Sequence, residues 1–348
     1  MGRFLQERST VHNPNNTVIY AALPEEQNRP LPFYLAMEEY IARNVGIDAE
    51  GVFFMWQVDP TVICGRHQDV EREVDLEYCR AEGIDVVRRK SGGGCVFADR
   101  SNIMFSHITQ DYDVTTTFAA YTAKVAATLR ALGLDATATS RNDVLIGDRK
   151  VSGNAFYHIG SRSIAHGTML YDTDFTHMAK AITPSRAKLE SKGVKSVQSR
   201  ITTIRQHLDI DIEDFKRHCR TAMCGNDTLR LTRADVAEIE RIAEQYRVPG
   251  WLIRQARGKR GDSVRIESVG ELTPMVSLSP DGTIDSVSIS GDYFAIGDGA
   301  EQLLSRLHGI RPERAAISEA LGGFDASRCI AGLTTPQLID IISDNTIK

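Results

Sequence analysis

Val87-Arg88-Arg89-Lys90-Ser91-Gly92-Gly93-Gly94-Cys95-Val96-Phe97 is the stretch whose reading decides the fold. Three successive glycines let the main chain approach a ligand more closely than any side chain would permit. Consecutive N–H groups in such a turn form a concavity suited to an anion. Two arginines stand before the turn, and a second basic pair, Arg149-Lys150, follows later. Arginine forks onto phosphate or carboxylate, and lysine acts as a mobile point charge.

Working outward, three further groups follow: Arg141-Asn142-Asp143, then Gly147-Asp148-Arg149-Lys150-Val151-Ser152-Gly153, then Ala165-His166-Gly167-Thr168. Each has a plain reading when taken alone. A glycine triplet is also a flexible loop, Asn-Asp a turn, and Lys150 a surface lysine at a hairpin. The pattern is neither a Walker loop, which ends in Gly-Lys-Ser/Thr, nor a Rossmann Gly-x-Gly-x-x-Gly. A glycine turn with separated cations reads as a polyphosphate or acyl-phosphate site.

The flanking elements are α+β. Ile84 to Arg88 reads as the strand that delivers the glycine turn, with strands at 95–98 and 103–109 after it. Val114, Phe118, Tyr121, Val125, Leu129 and Leu132 recur at helical spacing, and Gly133 caps that helix. Strands at 144–146 and 151–158 flank the Gly147-Asp148 turn, which puts Lys150 at a strand start; 163–171 is another strand. Upstream, Val18 to Leu23 is a short strand. Leu31 to Ile41 is a helix with apolar positions 33, 37, 40 and 41 on one face and Glu38 and Glu39 off it. Val52 to Gln57 and Thr61 to Cys64 read as a strand pair around Asp59-Pro60. Asp75 to Glu82 is a short helix ended by Gly83.

Downstream, helices are expected at 174–182 and 185–191, a basic connector at 192–204, and helices at 211–222 and 233–246. Thr232 and Asp235 open the last of these as a capping box. Residues 254–263 are basic, contain glycine and lack apolar periodicity, as a linker would. Beyond them, 264–290 alternates around an Asp281-Gly282 hairpin turn. Helices at 299–307, 312–320 and 336–343 close the chain, with Thr335-Pro336 as the start signal of the last. The expected domains are thus an N-terminal extension with a first strand (1–30), a catalytic domain (31–253), a linker (254–263) and an accessory domain (264–348).

The chain has 348 residues, 42% hydrophobic and 25% charged, with a net charge of −5 and a pI near 6.0. That balance argues against nucleic acid as a partner. No apolar run suits a membrane span, and residues 1–30 lack a signal-peptide core. Six cysteines with no Cys-x-x-Cys pair read as reduced thiols of a cytoplasmic protein.

In order along the chain, the motifs Arg88 to Gly94, Arg141 to Asp143, Lys150 to Gly153, His166 to Thr168, and Lys192-Gly193-Val194-Lys195-Ser196-Val197-Gln198-Ser199-Arg200 resemble those of lipoate–protein ligases. Residues after 263 are similar, more weakly, to that family's small accessory domain, through Gly291-Asp292-Tyr293-Phe294 and Leu307-His308-Gly309-Ile310. The resemblance implies a large mixed-sheet domain of the biotin/lipoyl-ligase type plus a small α+β C-terminal domain. It implies that lipoate and ATP give lipoyl-AMP and pyrophosphate, and that the lipoyl group then passes to a lysine of a 2-oxoacid dehydrogenase E2 lipoyl domain or of glycine-cleavage H protein.

Site roles follow from the same resemblance. Lys150 is the catalytic residue between the lipoate carboxyl and the α-phosphate. Arg89 touches carboxylate or phosphate, and Ser91, Gly92, Gly93 and Gly94 supply backbone donors. Phe97 and its strand flank the adenine. Asn142 hydrogen-bonds the nucleotide, and Asp143 binds it directly or through Mg²⁺, with a turn-capping role as the alternative. Ser152, Gly153 and Thr168 line the ATP and lipoate site with His166, which faces the acyl or carboxyl group. Residues 192–200 form a lid over the nucleotide or a solvated loop.

The chain departs from the pattern at three points. Ala98 and Ala165 stand where relatives carry His, and Cys95 where a small residue such as Ala is usual, so Cys95 reads as a packed small residue. An octanoyl- or lipoyl-transferase of the same fold would need a cysteine facing the lysine, and none occurs from Lys150 to His218. A biotin ligase would carry Gly-Arg-Gly-Arg, which is absent. A non-catalytic nucleotide- or lipoate-binding relative is the remaining alternative, motivated by Ala98 and Ala165.

Overall fold

Runs of β-branched and aromatic residues build one eight-stranded mixed sheet, as the sequence predicts for an α+β chain. The computed structural model describes residues 18–346 apart from 26, 47–49, 111–113, 174, 184–199, 225–226, 255–257, 297–302 and 304. The described residues fall into two units, each assembled from separate stretches. The first draws on Met1–Thr61, Ala98–Phe175 and Val197–Arg247, the second on Val62–Phe97, Thr176–Ser196 and Val248–Lys348. The glycine turn therefore groups with the C-terminal stretch, and the Lys150 hairpin with the large sheet. The expected helix at 185–191 and residues 192–199 of the basic connector lie outside the described residues.

In the first unit the strands are β1 (Val18–Ala22), β2 (Gly51–Trp56), β6 (Asn102–Thr109), β7 (Ala136–Ala138), β8 (Asp143–Ile146), β9 (Arg149–Ile159), β10 (Arg162–Leu170) and β11 (Thr228–Arg230). Their order is β11-β1-β2-β6-β10-β9-β8-β7. β1 lies parallel to β2 and β11, and β6, β10 and β9 are antiparallel neighbours. Alternate residues of β6 face opposite sides. Ser106 meets α1 (Leu31–Asn44), while the ring of His107 lies 5.7 Å from that of Tyr121 on α4 (Val114–Arg130).

Helix α1 corrects one expectation. Leu31 through Ala42 are all buried, Glu38 and Glu39 included, because α1 is sandwiched between the sheet and the helix Arg233–Arg247. That helix opens with the expected capping box: the Thr232 N–H donates to Asp235 Oδ2 (2.7 Å), and the Asp235 N–H to Thr232 Oγ1 (3.2 Å).

The second unit holds a three-stranded sheet, β4-β3-β5, of β3 (Thr61–Cys64), β4 (Asp85–Arg88) and β5 (Val96–Ala98). β2 and β3 are thus not a hairpin. Both edges of β2 are taken by β1 and β6, and at Asp59-Pro60 the chain turns, with the Thr61 hydroxyl donating to Asp59 O, to enter the other sheet. Helices α2 (Val70–Glu73) and α3 (Leu76–Ala81) precede β4, and Asp75 caps α3 by accepting from the Tyr78 N–H.

A second sheet of this unit contains β12 (Lys259–Arg260), β13 (Val264–Ile266), β14 (Gly270–Leu278) and β15 (Ile284–Gly291). Lys259–Arg260, expected within a linker, instead pairs with β14. Asp281 and Gly282 form the expected turn between β14 and β15, with Gly282 at φ +81°. The terminal helix Thr335–Thr346 is capped one residue earlier than Thr335. Thr334 and Gln337 bond reciprocally, which leaves Pro336 in the first turn, where its missing N–H costs nothing.

Candidate functional site

The predicted site residues fall into two sets, one in each unit. In the first unit, β8 and β9 form a hairpin whose register shifts between Val144 and Leu145. Ser152 pairs with Val144 and Lys150 with Leu145, which makes Val151 the extra residue of a bulge directly after the lysine. Lys150 Nζ lies 2.7 Å from Asp143 Oδ1, with both side chains about one-third exposed. The approach is close but poorly aligned: Oδ1 is buried and has no well-oriented hydrogen-bond donor among the described residues.

Gly153 makes room for this pair. A Cβ there would stand 2.6 Å from Lys150 Nζ. Gly153 is also the register partner of both Asp143 and Thr168. Paired residues point to the same side of a sheet, so Lys150, Asp143 and Thr168 share one face. His166, two residues before Thr168 on β10, continues that row.

Asn142 and Asn154 bind each other's main chain, Asn142 Nδ2 to Asn154 O (3.0 Å) and Asn154 Nδ2 to Asn142 O (3.1 Å). Asn142 therefore holds the strand entry, with one donor already engaged. Ser152 is buried and hydrogen-bonds the Asn154 side chain.

His166 leads to a residue that the sequence reading passed over. Its Nδ1 lies 3.0 Å from both carboxylate oxygens of Glu38, which is fully buried. Ser106 Oγ donates to Glu38 Oε1 (2.5 Å) and Tyr157 OH to Oε2 (3.1 Å). Trp56 Nε1–H donates in turn to Ser106 Oγ (2.9 Å). Burial, and then the Glu38 charge, hold the Tyr157 hydroxyl well above its ordinary pKa, so it remains a donor. A signal was present: two adjacent acids in a helix that is apolar on every side must be buried, and buried acids need partners. Glu39 has its own, Tyr246 OH and Gln245 Nε2.

In the second unit both arginines before the glycine turn are internal. Arg88 is 1% exposed and donates to the carbonyls of Gly65, Arg66, Gln68, Trp251 and Leu252 at 2.7–3.0 Å. Arg89 donates to Ser91 Oγ and to the carbonyls of Ile63, Gly92 and Gly94 at 2.6–2.9 Å. Arg89, expected at carboxylate or phosphate, holds the glycine turn together through these bonds. Ser91 likewise serves that turn.

Gly93 has φ +85°, open only to glycine at low cost, and its N–H donates to Tyr293 O (3.0 Å). A Cβ on Gly92 would collide with that same carbonyl. Tyr293 stacks on His67, their ring centroids 4.6 Å apart. Burial and the neighbouring Arg66 charge push the His67 pKa down to about 3, so His67 is neutral.

Phe97, expected beside the adenine, is 2% exposed in the core of this unit and stacked on His177. Cys95 is packed as expected. A hydrogen bond to Cys64 and burial hold its thiol well above the ordinary range, unlike a nucleophile. Among the described residues no three metal-ligating side chains cluster.

The sequence model of the lipoyl protein ligase A/B catalytic domain matches residues 30–224, and that of the bacterial lipoate protein ligase C-terminus matches residues 267–342. Lipoate–protein ligase 1 of Staphylococcus aureus is 33% identical over 318 residues, covering 89% of this chain and 95% of that protein. Among solved structures, LipL1 of P. falciparum in complex with lipoate superposes with a TM-score of 0.72 at 17% identity, over 94% of this chain and 98% of that one. A bipartite lipoate protein ligase of Thermoplasma acidophilum, described along with its E2 lipoyl domain, gives a TM-score of 0.60 at 26% identity, over 70% of this chain and 98% of that one.

Proposed function

Because the chain belongs to the lipoate–protein ligase family, we propose that it works through an acyl-adenylate. It is an enzyme that joins lipoate to protein at the expense of ATP. In the proposed first step a lipoate carboxylate oxygen attacks the α-phosphorus of ATP, forming lipoyl-AMP and releasing pyrophosphate. In the second, a lysine amine attacks the lipoyl carbonyl carbon, loses a proton and displaces AMP, leaving an amide.

Lys150 is the catalytic residue of this reading, and its placement carries it. The first step brings a carboxylate against a phosphate, both anionic, and a fixed cation at their junction stabilises the charge that develops. The Nζ of Lys150 is held beside Asp143 over Gly153, whose missing side chain leaves the ammonium its place. Ser152 and Asn142 brace the hairpin, Thr168 and His166 extend the same face toward the acyl chain, and the glycine turn 92–94 meets the nucleotide through its main chain.

Asp143 is the residue that would hold magnesium. Its buried Oδ1 lacks a well-aligned partner among the described residues. A single carboxylate suits an ion that keeps several waters and takes phosphate oxygens. Such an ion would offset phosphate charge.

Acceptors in this reading are lipoyl domains of 2-oxoacid dehydrogenase E2 subunits or glycine-cleavage H protein; the Thermoplasma relative, described along with its E2 lipoyl domain, supports the lipoyl-domain class. No described helix is long and apolar enough to cross a membrane. The six cysteines form no disulfide, which favours a cytoplasmic location. The proposed boundary between catalytic and accessory segments lies between the two family matches, which end at 224 and begin at 267.

Intact mass spectrometry of an apo lipoyl domain, mixed with the protein, ATP, Mg²⁺ and lipoate, tests the reading. A lipoyl increment that requires ATP and disappears with Lys150→Ala is expected. An increment obtained only from an acylated donor protein without ATP would mean a transferase instead.

A further inference from the structure

We propose that Glu38 is a positioning residue for ligation: it orients His166 on the acyl-binding face and fixes a proton on its Nδ1. The inference rests on the reading of His166 as part of that face.

The direction of each hydrogen bond follows from the donor inventory. An indole N–H can only donate. Trp56 Nε1 points at Ser106 Oγ, so the Ser106 proton is directed onward to Glu38 Oε1. The Tyr157 hydroxyl donates to Oε2. Both Glu38 oxygens thus already act as acceptors. His166 Nδ1 is 3.0 Å from each of them, so the hydrogen of that contact sits on the imidazole. Among the described residues His166 is the one side chain able to carry positive charge within ion-pair reach of Glu38. A buried carboxylate needs such a partner.

The bifurcated contact holds the ring as well as the proton. It fixes the tautomer in the way that an acid behind a catalytic histidine does. Helix α1 supplies the acid, and β10 places the imidazole one pleat repeat, about 7 Å, from Thr168. Thr168 pairs with Gly153, over which Lys150 Nζ lies. A carboxyl group held at Lys150 therefore runs its first methylenes toward the ring that Glu38 orients. Glu38 touches no reacting atom; it acts through His166.

The test uses the full chain with Glu38→Gln, which keeps the volume but replaces one acceptor oxygen by a donor. Steady-state lipoylation is followed by mass, and ¹⁵N spectra of labelled histidine report the His166 tautomer. We expect the wild type to show protonated Nδ1 and the variant to lose that signature. KM for lipoate should rise roughly tenfold or more, with KM for ATP unchanged. If Glu38→Gln does not fold, Glu38→Asp withdraws the carboxylate by one methylene and is read in the same way. An unchanged His166 spectrum with an unchanged lipoate KM would overturn the proposal, as would an equal rise in both KM values. Absence of ATP-dependent lipoylation by the wild type would instead remove the functional reading beneath it.

Discussion

Lys150 Nζ and Asp143 Oδ1 stand 2.7 Å apart across the neck of the β8–β9 hairpin, and the pair is set there by the bulge at Val151. Both side chains are about one-third exposed, so the ion pair itself adds at most roughly 1 kcal/mol to folding. Lys150→Ala should leave the thermal midpoint nearly unchanged while lowering pyrophosphate release by roughly a hundredfold to a thousandfold. A variant that keeps releasing pyrophosphate would remove Lys150 from the chemistry.

Gly153→Ala asks what the space beside Lys150 is for. The new Cβ would meet only the flexible end of the lysine, at 2.6–2.7 Å. The fold can accommodate it by moving the ammonium off Asp143. We expect kcat/KM for lipoate to fall about tenfold to a hundredfold with the melting temperature retained, measured by calorimetry beside the mass assay.

The arginines before the glycine turn should behave as folding residues. Arg88→Ala strands five main-chain carbonyls, with those of Gly65 and Gln68 bonded in buried surroundings and the other three part-buried. The cost is on the order of 3 kcal/mol or more. Denaturant titration should show that loss in Arg88→Ala, and a smaller one in Arg89→Lys, whose single ammonium cannot reproduce four directed bonds. A raised KM for ATP with unchanged stability would return Arg89 to the phosphates.

Acid should destabilise the chain through two histidines. Burial holds the His107 pKa down at about 3, and neither ring nitrogen has a hydrogen-bond partner among the described residues. His67 is likewise about 3. As pH falls below ~6.5 the unfolded chain binds these protons and the folded chain does not, so stability is complete above that pH and is lost toward pH ~3. The limiting slope is about 1.4 kcal/mol per pH unit for each histidine. His107→Leu should flatten the dependence between pH 6 and 4; an unchanged slope would mean that other groups dominate.

The central hairpin was legible because its chemistry is local: a turn at Gly147-Asp148 puts Lys150 at a strand start, and the structure agrees. The capping box at Thr232 and the Asp281-Gly282 turn were legible for the same reason. The roles of Arg88 and Arg89 were not. Five guanidinium donors match main-chain carbonyls as well as they match phosphate, and only the folded path of 63–68 and 251–252 shows which they meet. Glu38 was missed because the helical repeat was read from one face, although the apolar residues around it signalled that the other face is covered as well. The stacking of Phe97 on His177 was not legible either, since the two are distant in sequence.

The chain has two tryptophans, and their indole N–H groups terminate the two polar assemblies described above. Trp56 donates to Ser106, whose hydroxyl leads to Glu38 and His166, and lies flat on Tyr34 at 5.0 Å. Trp251 donates to the carbonyl of Arg88, with Arg254 5.1 Å above its ring. Each unit therefore carries its own intrinsic fluorophore. With Trp251→Phe, the remaining tryptophan emission comes from Trp56 alone, two hydrogen bonds from Glu38, and the proposed arrival of lipoate at His166 can be sought in it without a label.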